Sequence, residues 1–155
     1  MAASAAASAR CCAAPELLLV HPGGPFWARK DLGAWSIPKG EPEAGEEPRL
    51  CALRELAEEL GPASPRIDPG ELIELGSIRQ KGGKLVHAWA AGADFDPAQL
   101  ASNSFETEWP PRSGQRAEFP EVDRAEWFAP QEAGRRILPA QAPLIERLLA
   151  VLRAR

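Results

Sequence analysis

Short apolar runs bounded by turn-forming residues recur along the chain and predict strands. The run from Glu16 to His21 includes Leu17-Leu18-Leu19-Val20 and ends at Pro22-Gly23-Gly24-Pro25, the pattern of a buried strand followed by a turn. The same reasoning predicts strands at Ala34 to Ile37, Leu72 to Ile78, Lys84 to Ala91 and Arg124 to Phe128. A Gln-Lys-Gly-Gly segment separates the middle two of these, which predicts a hairpin.

Two segments have helical rather than alternating patterns. The first begins at Glu47-Pro48 and ends at Gly61-Pro62, since proline is favoured in the first turn of a helix and glycine just after the last. The second, Leu144 to Leu152, is amphipathic, and we expect it to pack on the sheet. The stretch from Gly92 to Pro120 has several prolines and little periodicity, which predicts a long loop.

The N-terminus differs in composition from the rest of the 155-residue chain. Residues 1–14 are rich in Ala and Ser, and we expect them to be poorly ordered or to form a weak first strand at a sheet edge. Their apolar content is too low for a secretory signal, although a transit peptide is compatible. With 45% hydrophobic and 26% charged residues, residues 15–155 are expected to form a single domain.

Charge and cysteine content narrow the partners and the compartment. A formal net charge of -4 gives no electrostatic reason to expect duplex nucleic acid as a partner. No apolar run approaches the roughly 18 residues of a membrane-spanning helix, so no membrane partner is expected either. Three cysteines, two of them adjacent, form neither a disulfide framework nor a zinc motif. A reducing, cytoplasmic location is expected, and nothing in the sequence indicates an oligomeric state.

The first helix is predicted to carry the chemistry. At about 100° per residue, five apolar side chains fall within one arc of roughly 120° and form the predicted core face: Leu50, Leu53, Leu56, Ala57 and Leu60. On the opposite side lie three carboxylates: Glu55, Glu58 and Glu59. No lysine is interleaved after Arg54, so these like charges repel unless a cation joins them. A solvated acidic face is the alternative, but clustered hard oxygens suit Mg²⁺ or Mn²⁺.

The residues around this helix resemble the Nudix box, G-x5-E-x7-R-E-U-x-E-E-x-G-U, with U bulky and apolar. The chain has Gly40, five residues, Glu46, seven residues, and then Arg54-Glu55-Leu56-Ala57-Glu58-Glu59-Leu60-Gly61. The departure is Pro62, which stands at the last apolar position. Residues 21–41 and 108–128 also resemble small bacterial members of the family that are predicted nucleotide pyrophosphohydrolases, which extends the likeness over most of the chain.

The resemblance implies a fold and roles for the box residues. The fold is an α/β/α sandwich with a mixed central sheet and a loop-helix-loop catalytic box. Glu58 and Glu59 would be the main metal ligands, Glu55 a further ligand or the general base, and the Gly40 carbonyl an additional ligand. Three residues would be structural: Glu46, Arg54 and Gly61. In several branches of the family the base comes from a loop outside the box, and the candidates here are Glu106, Glu108, Glu118 and Glu121.

The resemblance also implies Mg²⁺-dependent hydrolysis of a nucleoside diphosphate linked to another group, with Mn²⁺ as a substitute. Lys39, next to the box glycine, is similar to the residue in Nudix enzymes that act on diadenosine polyphosphates or diphosphoinositol phosphates, although it could instead face solvent. Arg112 is a further candidate for holding phosphates. Five aromatic side chains are candidates for stacking on a base: Phe26, Trp27, Trp35, Phe105 and Trp109.

A module that binds a nucleotide without turnover, as a sensor or scaffold, is the alternative function. Such modules usually lose a box glutamate, whereas this chain retains Glu46, Glu55, Glu58 and Glu59. The retained carboxylates favour the enzyme.

Overall fold

The structure is a computed structural model that describes residues 2–6, as backbone only, and residues 14–155. Eight strands are described: β1 (Ala2–Ala6), β2 (Leu17–Pro22), β3 (Lys39–Gly40), β4 (Ile73–Arg79), β5 (Leu85–Ala90), β6 (Ser104–Glu108), β7 (Arg116–Pro120) and β8 (Val122–Phe128). The α-helices of the described residues are α1 (Pro48–Leu60), α2 (Pro130–Arg136) and α3 (Ala142–Arg153). None of these helices is both long and apolar enough to cross a bilayer.

Three β-sheets form the middle of the fold. The largest has the order β3-β1-β5-β4 and is mixed, because β1 runs parallel to β5 and antiparallel to β3. Strands β2 and β8 form an antiparallel pair, and β6 and β7 form a hairpin. The expected hairpin of β4 and β5 is confirmed.

The apolar run of β2 is buried on both faces, which places helices on both sides of the sheets. Leu17 and Leu19 lie in a core cluster with side chains of α2 and α3, whereas Leu18 and Val20 lie in a second cluster with side chains of α1. A strand covered on both faces needs a continuous apolar run rather than an alternating one. The layers are therefore helix, sheet, helix, as the predicted α/β/α sandwich requires.

Several local predictions differ from the structure. The segment 92–120 is not one long loop, since it contains the β6–β7 hairpin. Residues 34–37 make isolated bridges from Trp35 and Ser36 instead of a strand. The first strand lies between β3 and β5 rather than at an edge, while residues 1 and 7–13 lie outside the described residues, so the expectation for residues 1–14 as a whole stays a prediction.

The orientation of α1 is the most consequential difference. Leu56 and Leu60 are buried as expected, but Leu50 is 50% exposed and Ala57 is exposed as well. Cys51 and Ala52 are fully buried in their place. These small residues let the helix approach the sheet closely, and the approach turns the carboxylates on the same side of the helix inward. The predicted core face was therefore wrong in part, and the helix is rotated so that its acidic side meets the sheet.

Both ends of α1 have defined caps. The Glu47 carboxylate accepts a hydrogen bond from the Leu50 N–H at 3.3 Å, and Pro48 occupies the first turn. At the other end, Gly61 has φ 91°, a conformation that side chains other than glycine rarely adopt. A Cβ at Gly61 would also strike the Ala101 carbonyl. Ala101 is held close to the end of the helix because its N–H donates to the Leu60 carbonyl at 3.1 Å. Gly61 therefore has a structural reason to be glycine.

We predict that Gly61→Ala lowers the free energy of unfolding by about 2–4 kcal/mol, because it combines an unfavourable φ with a backbone clash. Gly82→Ala is the matched control, since Gly82 has φ 88° with open space around it, and about 1 kcal/mol is expected there. Chemical denaturation of both variants measures the difference. Equal losses would show that the Ala101 contact is unimportant.

Candidate active site

A buried glutamine holds the segment that leads into the box. The Gln141 side chain accepts the Ile37 N–H at 3.0 Å and donates to the Gln80 side chain at 2.7 Å. It thereby joins the start of α3, the β4–β5 turn and the residues before β3. Sequence reasoning missed this residue, since nothing local in the sequence relates Gln141 to Gln80 or Ile37.

Arg54 connects the box loop to the helix. Its guanidinium forms a two-pronged pair with Glu46, with Nε–Oε1 at 2.8 Å and Nη2–Oε2 at 2.9 Å. The Arg54 hydrogen bonds lower the pKa of Glu46 to about 2. The same guanidinium donates to the Glu41 carbonyl at 3.0 Å. These contacts fit the structural role expected of Arg54 and Glu46.

The remaining nitrogen of Arg54 reaches two of the predicted metal ligands. Nη1 donates to Glu55 at 2.9 Å and to both oxygens of Glu58 at 3.3 Å. The Glu55 carboxylate also packs directly against Gly40, where any Cβ would collide with it. Gly40 is therefore needed to let Glu55 approach the backbone of β3. Burial raises the pKa of Glu55, although Arg54 opposes the rise.

Glu58 and Glu59, although adjacent in sequence, face different sides. Glu58 lies with Arg54 on the outer side of α1, whereas Glu59 faces inward and accepts the Lys39 N–H at 3.3 Å. Burial, together with the nearby charges of Glu55 and Glu121, raises the pKa of Glu59 to about 8. The Lys39 ammonium opposes this rise, and burial in turn lowers the pKa of Lys39.

Glu59 lines a cavity of about 250 Å³ that gathers residues distant in sequence. Lys39 comes from β3, Glu121 from the turn between β7 and β8, and Trp27 from the loop after β2. Lys39 is therefore partly buried at the box rather than free in solvent. A cation, two carboxylates and an indole ring in one cleft offer contacts for phosphate, for a divalent ion and for a base.

The loop that carries Trp27 is fixed by a buried histidine. His21 is fully buried, and its Nε2 donates to the Lys30 carbonyl at 2.6 Å while its Nδ1 lies 2.7 Å from Asp123. The Lys30 ammonium lies 4.8 Å from the centre of the Trp27 ring. His21 therefore has a structural position at the end of β2.

The geometry of the β6–β7 hairpin distinguishes Glu121 from the other three candidates for the general base. Glu106, Glu108 and Glu118 are exposed and alternate with the half-buried Phe105 and Phe119, so they lie on the outer face of the hairpin. Glu121 comes directly after β7, its N–H donates to the Asn103 carbonyl at 2.8 Å, and its carbonyl accepts the Gly23 N–H at 2.9 Å. Of these four carboxylates, the structure brings only Glu121 into the cavity with Glu59.

The other predicted binding residues are dispersed. Arg112 lies exposed at the tip of the β6–β7 hairpin, outside the residues that line the cavity. Trp35 is fully buried and donates its indole N–H to Asp31, so it belongs to the core. Phe105 is half-buried beneath Gly24. Trp27 is the aromatic candidate that reaches the cavity.

The donor chemistry of the site fits a hard divalent cation. Among residues 14–155, no three acidic, histidine or cysteine side chains are arranged to hold an ion together, and Arg54 donates hydrogen bonds to Glu55 and Glu58. Burial nevertheless raises the pKa of both Glu55 and Glu59, and each feels the negative charge of Glu121. A divalent ion would offset this repulsion, and carboxylate oxygens are the ligands that Mg²⁺ and Mn²⁺ prefer.

We predict that Glu59→Gln stabilises the metal-free protein at alkaline pH. The folded-state pKa of about 8 lies above the ordinary value of 4.5, so the folded state holds the proton more tightly. The wild type therefore loses stability as pH rises from about 4.5 to 8, and the glutamine variant escapes that loss. In a chelator at pH 8.5 we expect a gain of about 1–2 kcal/mol, discounted for partial exposure.

The measurement is urea denaturation at pH 4 and pH 8.5, with Glu118→Gln, on the exposed face of the hairpin, as the control. The gain should be absent at pH 4 and absent in the control. A gain of equal size at both pH values would assign the effect to packing instead of charge.

Comparisons with known proteins identify relatives that match most of the chain. A family model described as the NUDIX domain matches residues 4–148. The RNA pyrophosphohydrolase of Brucella ovis is 28% identical, and the match covers 88% of this chain and 84% of that protein.

Solved structures of related proteins share the fold. A binary complex of the Ap4A hydrolase of C. elegans superposes with a TM-score of 0.66 at 19% identity over 100% of both chains. The NUDIX domain of Shewanella oneidensis NrtR, cocrystallised with ADP ribose, gives 0.63 at 18% identity over 97% of this chain and 86% of that one. The predicted α/β/α sandwich is confirmed, and the chain belongs to the NUDIX domain family.

Proposed function

We propose that this chain hydrolyses a phosphoanhydride bond in a nucleoside polyphosphate-type substrate, with Mg²⁺ or Mn²⁺ as its cofactor. One observation carries the proposal: a single cavity contains Glu59 of the box, Glu121 of a distant turn, Lys39 and Trp27. These residues supply the separate functions that such a reaction needs, which are charge neutralisation, proton acceptance and binding of a base.

The names of the relatives support this reaction class. The Brucella proteins are RNA pyrophosphohydrolases, and the C. elegans structure is an Ap4A hydrolase. The partner proposed here is accordingly a nucleotide, neither duplex nucleic acid nor a membrane. Lys39 favours a highly charged polyphosphate, and we prefer a dinucleoside polyphosphate on that ground. We propose a reducing compartment such as the cytoplasm, because the three cysteines of the sequence form no disulfide framework.

Residues of the cavity and of the box have separate proposed tasks. Lys39 holds a phosphate oxygen of the substrate, and the Trp27 ring stacks on the nucleobase. Glu55 and Glu59, with the Gly40 carbonyl, would hold the divalent ion, and Glu58 would join them only after leaving its pair with Arg54. That ion, when bound, neutralises phosphate oxygens and makes water more acidic. Arg54 keeps Glu55 and Glu58 in place, so it acts on position rather than on the substrate.

We propose Glu121 as the general base that takes the proton of the attacking water. It lies in the same cavity as Glu59 but outside the Arg54 network, so its carboxylate is not engaged by that guanidinium. Glu55 is less suited to this task because it already accepts a hydrogen bond from Arg54 and packs on Gly40. A base placed in this way typically contributes 10²–10⁴-fold to the rate.

We predict that Glu121→Gln lowers kcat by about 10²-fold or more, because the variant cannot accept a proton. Glu59→Gln should lower it by at least as much, since it removes a proposed ligand. Glu118→Gln, three residues from Glu121 and on the outer face of the hairpin, is the matched control and should retain wild-type kcat. Release of phosphate-containing products from dinucleoside polyphosphates, a 5′-triphosphorylated oligoribonucleotide and nucleoside triphosphates, with Mg²⁺, measures the effect.

The same panel tests the alternative of a binding module without turnover. The NrtR domain cocrystallised with ADP ribose shows that a protein of this fold can hold such a ligand. Tight binding of one compound with no hydrolysis of any would favour the module. Equal loss in Glu118→Gln and Glu121→Gln would reject Glu121 as the base.

A further inference from the structure

Two exposed aromatic rings contact each other, one from the loop after β2 and one from the residue after β6. The rings of Phe26 and Trp109 are 5.7 Å apart at an interplanar angle of 83°, yet Phe26 is 62% exposed and Trp109 is 36% exposed. An edge-to-face pair leaves a ring face open to a third partner. Since most of the Phe26 surface remains in water, the contact removes little apolar area, and burial alone gives a weak reason for the pair.

The backbone connects this aromatic pair to the proposed active site. The Gly23 N–H donates to the carbonyl of Glu121, and the α-carbon of Gly24 lies against the Phe105 ring. Phe26 then meets Trp109, which follows the last residue of β6. The segment 23–26 therefore runs along the inner face of the β6–β7 hairpin from Glu121 toward the hairpin tip. Three residues span at most about 11 Å, which limits the distance from Gly23 to Phe26.

Phe26 is also adjacent to Trp27, which lines the cavity. One loop thus presents one aromatic ring to the cavity and the next ring to the outer surface. Arg112 lies exposed at the tip of the same hairpin, three residues after Trp109, in a chain whose net charge is negative. Guanidinium groups beside open aromatic faces are typical of surfaces that bind single nucleotides, because the rings stack on bases and the cations attract phosphates.

We propose that Phe26 and Trp109 stack on a second nucleobase of the substrate, joined through the polyphosphate to the nucleotide in the cavity. This inference rests on the proposed function and specifies its substrate as one with at least two bases. Two sources share that chemistry: a dinucleoside polyphosphate and the 5′ end of a triphosphorylated oligoribonucleotide. A nucleoside triphosphate has no base to place on the pair.

The test compares wild type with Trp109→Ala and Phe26→Ala on three substrates. These are a dinucleoside tetraphosphate, a 5′-triphosphorylated trinucleotide and a nucleoside triphosphate. We expect KM to rise about tenfold for one or both of the two-base compounds, with kcat within twofold and the KM of the triphosphate unchanged. The compound whose KM rises identifies the source of the second base. Trp109→Phe, which keeps a stacking ring, should restore KM to near the wild-type value.

Leu32→Ala is the matched control, because Leu32 is 60% exposed in the same loop but cannot stack. Unchanged KM for every substrate in the alanine variants would overturn the proposal, as would an equal rise for all three. A rise in Leu32→Ala as large as in Phe26→Ala would overturn it too. A monomer–dimer equilibrium that Trp109→Ala abolishes would assign the pair to a second copy of this chain.

Calorimetric binding distinguishes failure of this inference from failure of the proposed function. If no compound is hydrolysed, a dinucleoside tetraphosphate that binds wild type more tightly than Trp109→Ala, while the triphosphate binds both equally, still supports the aromatic pair as a base site. Equal affinity of both proteins for the dinucleoside would reject it.

Discussion

The fold turns carboxylates of the first helix into the protein rather than toward water. Helix α1 approaches the sheet through Cys51 and Ala52, and this approach turns Glu55 and Glu59 inward, where burial raises the pKa of each. Such an arrangement is unfavourable for folding by itself, since like charges are brought together in a poorly solvated place. The energetic conflict is informative because proteins concentrate perturbed carboxylates at sites that bind ions or transfer protons.

The rest of the fold offsets the repulsion between these carboxylates and forms the cleft around them. Arg54 balances Glu46, Glu55 and Glu58 from one guanidinium, while Gly40 leaves the space that Glu55 occupies. The β6–β7 hairpin is fixed at its base through backbone hydrogen bonds of Glu121, and this residue from outside the box lines the same cavity as Glu59. The helix supplies charge, and the hairpin and the loop after β2 define the cleft around it.

Sequence patterns predicted the elements whose signals are local. The apolar run of β2, the capped helix α1 and the Gly-rich turn of the β4–β5 hairpin have residues whose preferences do not depend on distant contacts. The rotation of α1 could not be predicted from the helical wheel, because Leu50 and Cys51 are both apolar and only the fit against the sheet decides which is buried. The hairpin within 92–120 was missed because each strand has only five residues, too few for a clear alternating pattern, and prolines surround them.

The residues of the candidate site also divide into those that the sequence identified and those that only the structure could identify. The box motif identified Glu55, Glu58 and Glu59, but the rotation of the helix decides that Glu59 and not Glu58 faces the cavity. The choice of Glu121 from four acidic residues needed the strand alternation of the hairpin, which was not recognised in the sequence. Gln141 acts through contacts with residues 61 and 104 positions away, and no local pattern reveals such pairs.

The most direct test of the inward-facing carboxylates is a crystal structure of the protein with Mn²⁺, located by its anomalous scattering. The account predicts a manganese peak within coordination distance of the Glu55 and Glu59 carboxylates, on the side of α1 that faces Glu121 and Lys39. A manganese ion bound only on the outer side of the helix, at Glu58 and away from Glu59, would contradict it.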